Sequence, residues 1–322
     1  MQQQSTSPRI VRHGELIPCR TAFIDAHTPG SDKKENFTIV GGGVSESPDQ
    51  HVHIKETPGF NIGAAGQPPG CRNSLHSHRT AEVFFVLEGR WRFFWGRWGN
   101  AGEVVLEEGD IFDIPTGIFR GFENIGQEHG MIMAILGGDD AGGGVIWAPQ
   151  VVQDAEEHGL VLASTGRLYD AKKGESLPAG ITPMPLLSDE ELEDFPELGA
   201  RDVVPAYIAR KWDMISLSQG RPARVIGEDA MIVDRPGFEV EFISRGSNTD
   251  SFRYCIGEYE VMMPTEGYWR ISWEATSDVL APGDTCLVPP GLGRCIEPAV
   301  SGPAGLFRVR GTTDPAGPTW RP

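Results

Sequence analysis

The sequence predicts an all-β chain made of two copies of one sandwich or barrel unit. Three observations carry that expectation. First, the chain repeats itself. Pro58-Gly59-Phe60 returns as Pro236-Gly237-Phe238, and Glu88-Gly89-Arg90-Trp91-Arg92 with Trp95 returns as Glu266-Gly267-Tyr268-Trp269-Arg270 with Trp273, both 178 residues later. Gly109-Asp110 and Pro115-Thr116-Gly117 return as Gly283-Asp284 and Pro289-Pro290-Gly291 at an offset of 174, the slip left by a shortened loop. Arg120 then falls on Arg294 and Glu123 on Glu297, and a fainter match sets Leu16-Ile17-Pro18 against Val203-Val204-Pro205. Self-similarity at a fixed offset marks repeated structural units. Second, 41 glycines and 25 prolines are spread along the chain. That is about a fifth of all residues where about 12% is usual, a turn-rich composition. Third, a length of 322 residues suits two domains of about 150 each.

The elements follow in order. Residues 82–87 and 90–95 are short apolar or aromatic runs flanking Glu88-Gly89, which reads as a hairpin turn. Residues 104–106, Ile111–Ile114 and 130–136 continue the series between glycine and proline punctuation. Regular short strands of this kind build sandwiches and barrels. Alternation sends Trp91, Phe93 and Trp95 to one face and Phe94 to the other, mostly for packing, with one or two available as the wall of an aromatic ligand's pocket. The middle of the chain differs. Residues 148–159 read as a helix entered at Pro149 and stopped at Gly159. Ser188-Asp189-Glu190-Glu191 reads as a capping box opening a short acidic helix, and the Gly/Pro-rich stretch between the two as a loop. The expected organisation is a first unit over 1–147, a linker over 148–200 and a second unit over 201–322.

A net charge of -17 disfavours nucleic acid and anionic lipid as partners. The first 18 residues hold no apolar stretch of the signal-peptide kind, and the longest apolar runs, such as 131–136, are too short to span a bilayer. Five cysteines with no CxxC read as reduced thiols, so a cytoplasmic protein is expected. There is no P-loop and no nucleophile elbow; Gly137-Gly138 and Gly142-Gly143-Gly144 lack a following lysine and read as a flexible connection.

The chemistry gathers at His76-x-His78 and Glu82. Residues two apart on an extended strand point to the same side, and Glu82 lies an even number further on. Two imidazoles and a carboxylate converging inside a barrel form a facial set that leaves positions open on Fe(II), and that also suits Mn, Ni, Co or Zn. His51-x-His53 has the same spacing but no further ligands, and reads as a surface strand or subunit contact. Cys71 reads as an inert buried thiol, and His13, His27, His129 and His158 as isolated surface or core residues.

These residues also resemble a known family. Gly70, five residues, His76-x-His78, three residues, Glu82, six residues and Gly89 are similar at every spacing to the first motif of the cupins. Gly109, five residues, Pro115-x-Gly117, two residues, Arg120, three residues and Asn124 are similar to the second, except that the family has histidine where this chain has Arg120. The resemblance covers both repeats. It implies a bicupin: two tandem cupin-type jelly-roll β-barrels joined by a partly helical acidic linker. Cupins include dioxygenases, decarboxylases, isomerases, lyases and binders, so the resemblance defines function less well than fold. The expectation is one divalent metal, Fe(II) favoured, on His76, His78 and Glu82. A mononuclear iron oxygenase or dioxygenase acting on a small organic acid or aromatic would follow. A metal-dependent isomerase or lyase, or a metal-free small-molecule binder, are the alternatives. Arg120 cannot ligate a metal, because a guanidinium has no lone pair to give. It either grips an anionic substrate group or pairs with Glu82. In the second copy Tyr254 and Ile256 stand at the histidine positions while Glu260 and Arg294 remain, so no metal is expected there. A homodimer is expected, since jelly-roll faces and strand edges need covering.

Overall fold

Alternation along each strand puts one side chain inside a barrel and the next on its outer face. In the computed structural model, which describes residues 7–138, 144–234, 236–247 and 253–312, this alternation builds two packed barrels. The first has a seven-stranded sheet in the order Ile208–Ala209, Ile111–Ile114, Glu82–Glu88, Gly130–Gly137, Phe60–Gln67, Glu35–Val40 and Val52–Ile54. Facing it is a five-stranded sheet in the order Val145–Trp147, Arg72–His78, Arg120–Asn124, Trp91–Trp95 and Gly102–Leu106. Phe84, Val86, Trp91, Phe93, Phe122 and Ile132 fill the space between them. The outward residues of the same strands, among them Phe85, Met133 and Ile135, pack against Val240, Phe242, Val261 and Phe307 of the second unit in one continuous core. Phe85 and Phe307 meet at 4.7 Å between ring centroids, and Phe60 and Phe238 at 5.7 Å. The hairpin turn at Glu88-Gly89 is real: Gly89 takes φ +91°, a conformation that costs glycine little.

The second barrel is thinner. Its larger sheet has six strands, and its smaller sheet only three: Thr276–Leu280, Trp269–Trp273 and Arg294–Pro298. Strands equivalent to Val145–Trp147 and Arg72–His78 are missing among the described residues. A single bridge between Tyr254 and Arg294 stands where His76 pairs with Arg120 in the first barrel.

The linker holds the helices Pro149–Glu157 and Asp189–Glu193. Both bonds of the Ser188/Glu191 capping box form, at 3.2 and 2.8 Å. The stretch between is not wholly a loop, because Leu160–Leu162 and Leu168–Asp170 pair as a small ribbon. Nor does barrel structure begin at residue 201. Ala200–Tyr207 and Lys211–Leu217 are helices, and Val203 of the first is buried in the core of barrel one. The match of Val203-Val204-Pro205 to Leu16-Ile17-Pro18 is therefore not structural. Gly142 and Gly143 of the expected glycine-rich connection, and residues 1–6 and 313–322 of the two expected units, lie outside the described residues.

The boundaries at 147 and 201 do not separate the sheets. Strand Arg9–Val11 pairs with residues 285–287 of the second barrel, and Ile208–Ala209 pairs with residues 111–112 of the first. Each exchanged strand is followed by the same clamp. Arg12 donates to Asp284 at 2.8 Å and to the Val279 carbonyl at 2.7 Å, and the backbone of His13 donates to Asp284. Arg210 donates to Asp110 at 2.7 Å and to the Val105 carbonyl at 2.9 Å, and the backbone of Lys211 donates to Asp110. The physical reason is the open edge of each large sheet, whose unpaired backbone groups the other unit's strand satisfies.

Candidate metal centre

Strand Arg72–His78 carries both histidines on its inner side, and Glu82 opens the next strand across the barrel. All three are buried, and their ligating atoms lie within 4.8 Å of one another. Each imidazole is oriented from behind. His76 Nδ1 sits 2.8 Å from the Ser74 carbonyl and His78 Nδ1 3.2 Å from the Gly144 carbonyl. A carbonyl only accepts, so each Nδ1 carries the proton and each Nε2 keeps its lone pair. Burial, and after it the Arg120 charge, holds both imidazoles well below their ordinary pKa, so both are neutral near pH 7.

Arg120 does not reach for the cavity. Its Nε and Nη2 donate to Glu82 Oε2, the former at 3.0 Å, and its Nη1 donates to the His76 carbonyl at 3.2 Å. Of the two roles open to it, the geometry shows the pairing with Glu82. That pairing leaves the carboxylate a ligand, because it uses only one oxygen. Oε1 faces His78 Nε2 at 3.5 Å. Two lone pairs directed at one another without a proton between them make a cation's environment. Neutral imidazoles and a carboxylate are also the donors that a borderline divalent metal takes. The residues therefore fit a divalent ion held by His76, His78 and one oxygen of Glu82.

The corresponding place in barrel two is closed. Arg294 Nε donates to Glu260 Oε2 at 2.9 Å, and the Tyr254 hydroxyl donates to the same oxygen at 2.8 Å. Arg308 and Arg310 flank Oε1 at 3.6 and 3.4 Å. Both barrels thus keep the Glu–Arg pair, and only the first keeps imidazoles.

Beside the ligands lies a cavity of about 70 Å³, several times the roughly 10–15 Å³ that one water needs. Ala65, Phe84, Phe122, Ala134, Leu136 and Trp147 give it mainly apolar walls. The Trp147 ring lies 5.3 Å from that of His76, tilted 40° to it. Behind the ligands runs a buried chain that spacing did not reveal. Lys34, fully buried, is bonded to Asp25 and, at 2.8 Å, to Asn73, whose amide nitrogen lies 3.4 Å from His76 Nδ1. Asp25 also accepts from the Ser74 backbone at 3.0 Å, which fixes the strand just ahead of His76. Nothing local in the sequence links 25 and 34 to 73. Of the other histidine pair, His53 is used structurally: its Nε2 accepts from the Ile17 backbone and its Nδ1 donates to the Thr38 carbonyl.

Glu46 closes the wall behind Trp147. It accepts from the Trp147 indole at 2.6 Å and from the Ile24 backbone at 2.9 Å. Burial pushes its carboxyl up to about 7, against the pull of those two donors. A raised carboxyl favours the folded state fully below its unfolded pKa of about 4.5 and loses that advantage as pH rises through 7. The loss is on the order of 3 kcal/mol. Urea unfolding of metal-free protein at pH 5 and pH 8 is expected to show a smaller decline with pH for Glu46→Gln than for wild type. Equal declines would remove Glu46 as the source.

Residues 66–136 match the Cupin domain family. Germin-like protein subfamily 1 member 4 of Arabidopsis thaliana is 28% identical over 138 residues, which cover 39% of this chain and 59% of that relative. The match thus spans less than two thirds of the relative's length. Among solved structures, an oxalate decarboxylase superposes with a TM-score of 0.58 at 12% identity, over 98% of this chain and 80% of its own. The formate complex of the Lactobacillus farciminis oxalate decarboxylase gives 0.53 at 11% identity, over 99% and 90%. At such identities the likeness is one of fold. Together with the Cupin domain match over residues 66–136, it gives this chain a cupin-type jelly-roll fold in the two-barrel arrangement of those structures.

Proposed function

We propose that barrel one is a mononuclear metal-dependent enzyme acting on a small organic molecule. The observation that carries this reading is the pair of facing acceptors, His78 Nε2 and Glu82 Oε1, with His76 beside them at a mainly apolar cavity. His76, His78 and Glu82 would hold the ion, Fe(II) in the favoured form, with Mn, Ni, Co or Zn as alternatives. Bound there, it would polarise a substrate oxygen and, as Fe(II), activate O2 at the positions that three ligands leave open. Arg120 holds Glu82 in place through its other oxygen. Phe84, Phe122 and Leu136 exclude water from the reacting face. Barrel two is a structural partner without a metal.

The test is reconstitution of purified protein with each metal, followed by metal analysis. Wild type is expected to retain about one equivalent in all, and His76→Ala and His78→Ala to lose it, a drop of tenfold or more in affinity. Equal and negligible metal in wild type and variants would leave a metal-free binder as the function. A second reading, Lewis-acid lyase or isomerase chemistry, uses the same ligands, and the oxalate decarboxylases that share the fold are lyases by name. Substrate turnover without O2 would select it over the oxygenase. Among the described residues no helix is long and apolar enough to cross a membrane. A cytoplasmic homodimer completes the proposal, and light scattering of the full chain tests the dimer.

A further inference from the structure

The strand that carries both imidazoles does not alternate simply. Arg120 pairs with His76 but Phe122 pairs with Asn73, so two steps on one strand match three on the other. The extra residue is a bulge, and a bulge re-aims the side chains beside it. Strict alternation back from His76 would turn Ser74 into the barrel and Asn73 out of it. The bulge reverses this: Asn73, 5% exposed, lines the cavity together with His76 and His78.

The Asn73 amide is also oriented. Lys34 Nζ donates to its Oδ1 at 2.8 Å. An ammonium only donates, so the amide oxygen faces Lys34 and the NH2 group faces away from it. Nδ2 lies 3.4 Å from His76 Nδ1, which gives its own proton to the Ser74 carbonyl at 2.8 Å. A protonated ring nitrogen has no lone pair to offer. Among the described residues the Asn73 NH2 group therefore has no acceptor.

Asn36 repeats the condition on the facing sheet. It lines the same cavity, and its Nδ2 is buried without a hydrogen-bond partner among the described residues. The wall's two hydroxyls are already used. Thr38 donates to Gln50 Oε1 at 2.9 Å, and Ser45 to the Ala22 carbonyl at 3.3 Å. An unpaired buried donor is costly, and a site that presents one discriminates against any ligand without the matching acceptor. A carbonyl oxygen suits it, having two lone pairs and no proton of its own to place.

We propose that Asn73, with Asn36 on the facing sheet, is a specificity-determining contact that holds a carbonyl oxygen of a small, mainly apolar ligand. That this ligand is a substrate rests on the enzymatic reading of barrel one. The hydrogen bond itself belongs to the wall and needs no ion.

Cyclopentanone and pyrrole test this, because both are five-membered rings and the first only accepts where the second only donates. Each is titrated calorimetrically into metal-free and zinc-loaded protein, with metal content measured on the same samples. Wild type is expected to bind cyclopentanone at least fivefold more tightly than pyrrole. Asn73→Asp keeps an oxygen for Lys34 and puts an acceptor where the NH2 group was, so its preference is expected to reverse. Asn36→Leu removes the other amide without touching Lys34 or His76, and is expected to weaken cyclopentanone at least threefold while leaving pyrrole unchanged. If Asn73→Asp does not fold, Asn36→Leu decides in its place. Pyrrole binding wild type as tightly as cyclopentanone, neither probe binding, or an unchanged preference in the deciding variant would each overturn the inference. Failure of wild type to take up zinc would overturn the metal centre instead, and the metal-free titrations would still decide the amide contact.

Discussion

Arg120→Ala is expected to cost the metal-free protein about 3–5 kcal/mol, the range for removing one partner of a buried ion pair. Arg120 and Glu82 are 1% and 5% exposed, so the surviving carboxylate has no water to turn to. The variant also strips a donor from the His76 carbonyl and so loosens the strand that carries both imidazoles. Chemical denaturation of metal-free wild type and variant measures the loss. Zinc should restore part of it, because the ion supplies the positive charge that Glu82 has lost, and a ligand that binds only the folded state stabilises it. The variant's midpoint should therefore rise more with zinc than that of wild type. A variant as stable as wild type when metal-free, with tighter metal binding, would show that the pair does not hold the barrel together.

Glu260→Ala is expected to be similarly costly, about 3–5 kcal/mol, with no recovery on adding metal. Glu260 is the hub of barrel two: it pairs with Arg294, accepts from Tyr254 and lies beside Arg308 and Arg310. Without it Arg294, fully buried, keeps among the described residues only the Leu292 carbonyl as a hydrogen-bond acceptor. Glu241 remains to serve Arg308 and Arg310. Zinc binding in barrel one should be unchanged, since His76, His78 and Glu82 do not touch this cluster. A loss of zinc affinity with the fold intact would show that the barrels are coupled more tightly than their separate polar clusters suggest. The two variants together ask whether an arginine pair and an arginine-plus-metal site are alternative solutions to one buried carboxylate.

What the sequence made legible was whatever is local or repeated. Alternation around Glu88-Gly89 placed the hairpin, and the two-residue spacing of His76 and His78 placed both on one face. The 178 and 174 offsets aligned Glu82 with Glu260 and Arg120 with Arg294, and the cross-strand partners agree: Trp95 opposes Arg120 as Trp273 opposes Arg294. Long-range choices were not legible. No spacing rule joins Lys34 to Asn73, since a buried ammonium finds its acceptors through tertiary packing alone. The direction of Arg120 depended on whether a carboxylate lay across the barrel, which periodicity does not report. The ribbon at 160–170 was hidden because three-residue strands carry too little alternation to stand out among glycines and prolines.

The reciprocal edge strands give the duplicated chain the connectivity of a strand-swapped dimer whose subunits are covalently tethered. The tether keeps each edge strand at high effective concentration beside its acceptor, so the exchange does not depend on protein concentration as it would between separate chains. It also removes any clean point of division. A cut at residue 147 or 201 would leave each fragment without the strand that completes its large sheet, and with a row of unpaired backbone groups in its place. Inheritance is shared in the same way. A substitution that weakens the metal-free copy withdraws support from Arg9–Val11, and through that segment from the fold around the copy that carries the imidazoles.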